Sequence, residues 1–191
     1  MKVYSERVAA VWEVTPATEI LFYHDFYKGK VWANIRKFSK SDRYTGPTRA
    51  GIKFPPEFLP KIIESLEKAE KRKDSLGDEE LLRLTKNNFS DLVIQASIYK
   101  GTFGIDIREW QKSKQYTGWT KKGIRLPIEY TAKFLDCLKK MIRASEGLSE
   151  TSFSDSAEQA AKDVNISDTT GIPKKFEGLF ATEEQDENET N

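Results

Sequence analysis

The sequence predicts an α+β fold of two tandem ββββα units, each a four-stranded antiparallel sheet plus a helix, packed as an intramolecular pseudo-dimer with a disordered acidic C-terminal tail. Three observations predict it. The segment at residues 27–57 recurs 72 residues later at 99–129. Within each copy, strand-like alternation of apolar residues gives way to helical spacing. Beyond residue 148, large apolar residues become sparse, which is typical of disorder.

The two copies align without a gap and share fifteen identities in thirty-one positions. Two copies are too few for a solenoid, which needs three or more stacked repeats. They therefore predict a pseudo-dimer. The predicted organisation is an N-terminal segment (1–17), a first ββββα repeat (18–73), a linker (74–88), a second repeat (89–147) and an acidic tail (148–191).

The first strands of the two copies are predicted at Glu19–Phe26 and Asp91–Ile98, which are rich in aromatic and β-branched residues. A Lys-Gly pair after each strand predicts a tight hairpin turn. The next strands, Val31–Phe38 and Phe103–Trp110, alternate, so one face is predicted to be core and the other polar with an aromatic. Glycine bends are expected to separate the last short strands, at Tyr44–Thr48 and Ala50–Phe54, and at Tyr116–Thr120 and Lys122–Leu126.

Helices are predicted to begin at Pro55 and Pro127, because proline is well tolerated in the first helical turn. Apolar residues then recur at helical spacing and are expected to cover the sheet. These stripes are Phe58, Ile62, Leu66 and Ala69, and Tyr130, Phe134, Leu138 and Met141. Between the copies, Asp78 is predicted to cap a short helix over Glu79–Leu84. The segment Met1–Val14 is compatible with an added strand of unassigned position.

The formal net charge of +1 hides a segregation of charge along the chain. Residues 149–191 contain eleven acidic residues and three lysines, a net of −8, which leaves residues 1–148 at +9. A basic body with an acidic tail is expected when the body binds a polyanion and the tail stays solvated. The alternative is a lysine-rich surface that serves only solubility.

Several classes of protein are disfavoured by what the sequence lacks. A single cysteine, Cys137, leaves no internal disulfide and no cysteine-rich zinc site. No signal peptide and no stretch of about 18 apolar residues is present, so a soluble intracellular protein, in cytoplasm, nucleoid or nucleus, is expected. The one histidine, His24, lies in a predicted strand and favours a structural role. No catalytic or cofactor-binding motif is found, and the expectation is a non-enzyme without cofactor or metal.

A family resemblance rests on strings that both copies carry: Tyr27-Lys28-Gly29 with Tyr99-Lys100-Gly101, Ile35-Arg36 with Ile107-Arg108, and Gly51-Ile52 with Gly123-Ile124. With the Pro-x-Glu sequence and helix that follow, the chain resembles the single-stranded-DNA-binding domain of the transcriptional positive cofactor 4 family over residues 18–143. The related Pur-alpha and Whirly folds use similar units. The resemblance implies protomers that pair through their helices, and sheets that hold single strands. Carried over by position, it implicates Tyr27, Lys28, Lys30, Arg36 and Arg49, and Tyr99, Lys100, Arg108, Lys121 and Lys122.

The copies depart from the family pattern in ways that predict unequal binding. Thr102 stands where the first copy has Lys30, and Ala50 stands where the second has Lys122. An aromatic residue frequent in the family is Ser39 or Gln111 here. The second copy is therefore expected to carry more of the basic loop.

Stacking of unpaired bases on aromatic rings, with basic groups on the phosphates, is the chemistry that these residue types suit. The aromatic candidates are Tyr27, Phe38, Tyr44, Trp110, Tyr116 and Trp119. Structural alternatives remain open: edge packing for Phe38 and Trp110, and cross-strand pairing for Tyr44 and Tyr116. For Arg36 and Arg108 the alternative is pairing with Asn34 or Asp106.

The sequence thus predicts a sequence-tolerant single-stranded-DNA-binding protein acting in replication, recombination or transcription, as a monomeric pseudo-dimer. Two alternatives are an RNA-binding regulator of Pur-alpha or Whirly type and a coactivator-like scaffold whose sheets bind proteins; a nuclease is a distant third. The acidic tail is expected to dock a protein partner through Phe176, Leu179 and Phe180, or to compete for the basic groove. A stray aromatic cluster is the alternative for those three residues.

Overall fold

A computed structural model describes residues 8–146 of the chain, and the predicted acidic tail lies outside them. Eight strands and two helices are present in this range. The strands are β1 (Val8–Thr15), β2 (Thr18–Tyr27), β3 (Lys30–Ser41), β4 (Tyr44–Phe54), β5 (Glu79–Asn87), β6 (Ser90–Tyr99), β7 (Thr102–Lys112) and β8 (Thr117–Pro127). The helices are α1 (Leu59–Lys71) and α2 (Thr131–Ser145), and single 3₁₀ turns lie at Pro56–Phe58, Lys73–Ser75 and Ile128–Tyr130.

The strands form one antiparallel sheet of eight strands in the order β1-β2-β3-β4-β8-β7-β6-β5. The two repeats therefore share a continuous sheet, and the prediction of two separate four-stranded sheets is wrong in this respect. They meet at β4 and β8, where one pair of residues is in register, Gly51 with Gly123. The α+β class and the internal pseudo-symmetry of the strand order agree with the expected fold.

The last strand of each repeat is one long strand instead of the two short ones predicted. An irregularity between the pairs Arg36–Gly51 and Phe38–Pro47 absorbs extra residues of β4 as a bulge. The Thr48 hydroxyl stabilises it by donating to the Lys37 carbonyl (2.8 Å) and accepting from the Ala50 amide (3.2 Å). Thr120 makes the equivalent bonds in β8. The bend is thus produced by a threonine inside an unbroken strand.

Each four-stranded half is completed by a strand that precedes the predicted repeat. β1 pairs with β2 in the first half, so the unplaced N-terminal segment supplies an edge strand. β5 pairs with β6 in the second half, so the short helix predicted over Glu79–Leu84 is wrong, and the stretch predicted as a linker contains a strand. Asp78 caps no helix; its carboxylate accepts the Ile98 amide at 3.1 Å, which ties β5 to β6.

Both helices cover one face of the sheet, which confirms the predicted apolar stripes. Ile62, Leu66 and Ala69 of α1 are buried, and so are Phe134, Leu138 and Met141 of α2. Phe58 is partly buried, whereas Tyr130 is exposed and packs its ring 5.4 Å from that of Trp12. Of the strand residues predicted for the core, four are buried, namely Ala33, Ile35, Ile105 and Ile107, whereas Val31 and Phe103 are only partly buried. In the described part of the chain, no helix has the length and apolar character needed to cross a membrane.

The helices interlock the repeats, because each lies against the other repeat's strands. α2 packs on β1 and β2, where the rings of Phe22 and Phe134 meet edge to face at 5.3 Å. α1 packs on β5, and the Ser65 hydroxyl donates to the Leu81 carbonyl at 3.3 Å. The helices also contact one another. Neither half can bury its core without the other, so the pair is one cooperative unit.

Replacing Phe134 by alanine tests this interlocking. The substitution should lower the free energy of unfolding by about 3 to 5 kcal/mol, as is usual for deletion of a buried phenylalanine. Tryptophan fluorescence reports on both halves, since Trp12 and Trp32 lie in the first and Trp110 and Trp119 lie in the second. Because the halves interlock, urea unfolding followed by this signal is expected to show one transition. The exposed helix substitution Lys140→Ala is the control. Two separate transitions would contradict an interlocked fold.

Candidate nucleic-acid interface

The sheet face that α1 and α2 do not contact is called the open face here. Alternation defines it: Ile35 and Ile52 point into the core, so their neighbours Arg36 and Gly51 lie on the opposite side. By the same register the open face carries aromatic, charged and amide side chains in each repeat. In the first these include Tyr23, Tyr27, Trp32, Asn34, Arg36, Phe38 and Lys53; in the second they include Tyr99, Asp106, Arg108, Trp110, Trp119 and Arg125.

Two arginines lie across the centre of the open face because the residues beside them are glycines. Arg36 pairs with Gly51 and Arg108 pairs with Gly123, and the two glycines pair with each other. A Cβ on Gly123 would lie 2.8 Å from Cγ of Arg108, and one on Gly51 would lie 3.3 Å from Cβ of Arg36. Each guanidinium donates through Nη1 to a bulge carbonyl, that of Thr48 (3.1 Å) or Thr120 (3.4 Å). The predicted Arg36 and Arg108 are therefore held at the junction of the two halves.

An aromatic cluster surrounds Lys53 in the first repeat. Its ammonium lies 4.4 Å from the ring centroid of Tyr27 and 5.3 Å from that of Trp32. The Trp32 indole N–H donates to the Tyr27 carbonyl at 3.2 Å, which orients the second ring. Asp25 contributes a carboxylate oxygen 3.6 Å from the ammonium. The cluster combines stacking surface with a cation, as cation–π contacts require.

The second repeat has an equivalent cluster, in which the arginines are hydrogen-bonded to neighbouring side chains. Arg125 lies 5.6 Å from the ring centroid of Tyr99, and Lys100 lies at the same distance. Arg125 also donates to Asp106 and to Ser97. Asp106 accepts in addition from Arg108 at 3.0 Å, so the predicted alternative of pairing applies to Arg108. Arg36 makes no such contact with Asn34 among the described residues.

Further aromatic residues lie toward the margins of the open face. Trp110 and Trp119 pair across β7 and β8 with ring centroids 5.0 Å apart, edge to face. Arg83 lies over the Trp110 ring at 5.3 Å. The first-repeat counterpart, Phe38, stands opposite Pro47. Phe38 and Trp110 therefore pair within their own repeat and not with the partner copy.

Carboxylates neutralise several basic groups near these margins. Asp91 pairs with Lys112 (2.6 Å) and Arg83 (3.3 Å), while Lys40 pairs with Glu19. Burial alone would raise the pKa of Asp91, but hydrogen bonds from these two cations outweigh it and lower the pKa. The marginal cations are thus paired with carboxylates, whereas Arg36 at the centre donates to the Thr48 carbonyl.

The hairpin turns place two lysines at the ends of the sheet in an unusual backbone conformation. Lys28 and Lys100 have φ of 50° and 51°, and each precedes a glycine with positive φ. This is the type I′ turn, in which Asn, Asp or Gly is preferred at the first position. A left-handed conformation costs a non-glycine residue roughly 1 kcal/mol. Both copies keep lysine there, which favours a use for its side chain.

The remaining predicted residues do not lie with the central cluster of the open face. The register places Tyr44 and Tyr116 on the helix side of the sheet, where their hydroxyls donate to the carbonyls of Pro47 (2.5 Å) and Trp119 (2.7 Å). Each tyrosine ring lies over a glycine, Gly46 or Gly118. A Cβ on either glycine would lie under 3 Å from the tyrosine hydroxyl oxygen. The other basic candidates are exposed at the hairpin and bulges and do not join the central cluster; they are Lys30, Arg49, Lys121 and Lys122.

Sequence reasoning missed four residues that the open face brings together: Trp32, Lys53, Arg83 and Arg125. The alternation of side chains along a strand could have identified two of them. Trp32 is four residues before Arg36 on one strand, and Lys53 is two residues after Gly51 on the next, so both share the face of the predicted arginine. A search limited to identical positions of the repeat passes over them, because Trp32 corresponds to Gly104 and Lys53 to Arg125.

The histidine and the cysteine, His24 and Cys137, lie away from the open face. His24 is buried on the helix side, neither ring nitrogen has a hydrogen-bond partner within residues 8–146, and burial lowers its pKa. Burial likewise raises the pKa of the Cys137 thiol in α2. Among the described residues no group of three or more His, Cys, Asp or Glu side chains is arranged to hold a metal ion.

Comparison with known proteins finds similarity among solved structures. No family model and no curated protein matches the chain. The chain is similar to a PC4 homolog from Burkholderia pseudomallei with 25% identity and a TM-score of 0.32. The alignment covers 37% of this chain and 97% of that one.

Alanine at the central glycines tests the packing that positions the arginines. Gly51→Ala and Gly123→Ala should each lower the free energy of unfolding by about 1 to 3 kcal/mol, because the new Cβ would approach a backbone carbonyl oxygen, that of Ile35 at 2.7 Å or Ile107 at 2.8 Å. Gly77→Ala is the matched control, since nothing lies within 4 Å of its added Cβ. Equal unfolding midpoints in urea for all three variants and the parent would contradict the close approach.

Proposed function

We propose that the open face binds single-stranded nucleic acid, DNA foremost, without strong dependence on sequence. The observation that carries the proposal is the arrangement of aromatic rings with cations against them on both sides of the central arginines. Lys53 lies over Tyr27 and Trp32 in the first repeat, while Lys100 and Arg125 lie over Tyr99 in the second. Rings and cations are the two groups that bases and phosphates require.

Single strands suit this surface better than a duplex does. Unpaired bases expose their π-faces, and a ring on a sheet can stack on any of them at roughly 1 to 3 kcal/mol per base. In a duplex the bases are already stacked on one another, so the exposed rings of Tyr27 and Tyr99 would have no base face to cover. Stacking does not read base edges, which supports tolerance of sequence.

The helix side is the alternative surface, and several of its cations also have carboxylate partners. Lys68 pairs with Glu64, Lys73 with Glu70, and Lys139 with Glu67 across the two helices. Such exposed pairs contribute little to stability, but they cancel charge locally. At the centre of the open face, Arg36 has no carboxylate within 4 Å among the described residues and keeps its positive charge, whereas Arg108 is paired with Asp106.

Fluorescence anisotropy with a labelled oligo-dT is the test, with Arg36→Glu and Arg108→Glu as variants. We expect the parent to bind single strand more tightly than duplex, with log affinity falling linearly as log salt rises. Each charge reversal should weaken binding at least about tenfold, because it places a negative charge that repels phosphate at the centre of the open face. Lys140→Glu makes the same charge change on α2 and should bind like the parent.

Tighter binding to duplex, or loss of affinity equal for Lys140→Glu and Arg36→Glu, would contradict the proposal. A parent that binds neither form would favour the protein-scaffold alternative. Competition between oligo-dT and oligo-U of equal length then separates DNA from RNA recognition, since the two differ at the 2′ position. Thermal unfolding of each variant shows whether a lost affinity reflects a lost fold.

A further inference from the structure

The two halves of the open face differ at one central position, where Asn34 of the first repeat corresponds to Asp106 of the second. Both residues lie between the same kinds of neighbour: an arginine two positions later on the strand, and a basic residue directly across on the next strand. These cross-strand neighbours are Lys53 and Arg125. A neutral amide has therefore taken the place of a carboxylate between two cations.

In the second repeat the carboxylate bridges the cations. Asp106 accepts from Arg108 through Oδ1 at 3.0 Å and from Arg125 through Oδ2. Arg125 uses its remaining terminal donors on Ser97 Oγ (3.0 Å), the Ser97 carbonyl (2.7 Å) and the Thr102 carbonyl (3.0 Å). Both terminal nitrogens are thus fully engaged, since each carries two N–H groups.

In the first repeat the equivalent groups are left without such a bridge. Asn34 is only 2% exposed, and its Nδ2 has no hydrogen-bond partner within residues 8–146. Arg36 reaches the Thr48 carbonyl and also hydrogen-bonds the side chain of Tyr23, which lies across from Asn34 on β2. Lys53 has a single carboxylate near it, Asp25 at 3.6 Å on the same strand. Trp32 stands where the second repeat has Gly104 and adds a ring beside the ammonium. A buried amide N–H without an acceptor is unfavourable and calls for an explanation, of which a bound ion or ligand is one.

We propose that the first repeat holds the phosphodiester subsite of the open face, and that Asp106 occupies the corresponding subsite of the second repeat as an internal stand-in for phosphate. The inference rests on the proposed function and assigns different roles to the two repeats of the open face. A phosphodiester oxygen pair between Arg36 and Lys53 receives the charge-assisted bonds that Asp106 receives from Arg108 and Arg125. The second repeat then contributes the Tyr99 and Trp110–Trp119 rings for stacking and little phosphate binding.

Exchange of the two residues tests the assignment, with a fluorescein-labelled oligo-dT as probe and the full chain as protein. Asn34→Asp should weaken binding about tenfold and reduce the magnitude of the log affinity against log salt slope by about one, the change expected for one lost phosphate contact. Asp106→Asn should tighten binding and increase that slope by about one, because it frees Arg108 and Arg125. The double exchange should return both quantities toward the parent values.

Binding unchanged in Asn34→Asp, or weakened to the same degree in both single variants, would overturn the assignment. Asp106→Asn also removes a structural ion pair, so its thermal unfolding is compared with the parent's; if it unfolds, the Asn34→Asp result decides. A parent without affinity for oligo-dT defeats the proposed function itself. A parent that binds with full salt dependence, while neither exchange alters it, defeats only the division of roles.

Discussion

The two halves of the sheet are joined by one backbone pair in register, between Gly51 and Gly123. Neither position has room for a Cβ, because backbone carbonyl oxygens lie under 3 Å from where it would stand. Because the two glycines have no side chains, Arg36 and Arg108 can lie across the strands at the centre of the open face. The same two glycines thus form the junction of the eight-stranded sheet and leave room beside them for the two arginines of the candidate site.

The exchange of helices between the halves keeps this arrangement rigid. α2 lies on β1 and β2 while α1 lies on β5, so a displacement of one half would open the core of the other. A binding surface built on strands of such a core is preorganised, and little free energy is spent on ordering it when a strand binds. Covalent linkage also permits the two halves to diverge, as Asn34 and Asp106 show.

Much of the fold was predictable because its signals are local: alternation identified Ala33 and Ile35 as core, and helical spacing identified Ile62 and Phe134. β5 was not predictable, since Glu79–Asn87 is a charged edge strand whose structure depends on pairing with β6 and on Asp78. For the site, identity between the copies pointed to Arg36 and Arg108. A search for identical positions also passed over the difference between Asn34 and Asp106, because it considers only the residues that the two copies share.

Photo-cross-linking of the full chain to an oligonucleotide carrying 5-iododeoxyuridine tests most directly that the open face is the binding surface, since the halogenated base couples to aromatic residues that stack on it. Peptide mapping by mass spectrometry should locate the adducts at Tyr27, Trp32, Tyr99, Trp110 or Trp119. Tyr44, Tyr116 and Tyr130 are exposed on the helix side and provide an internal comparison. Adducts confined to those three residues would contradict the account.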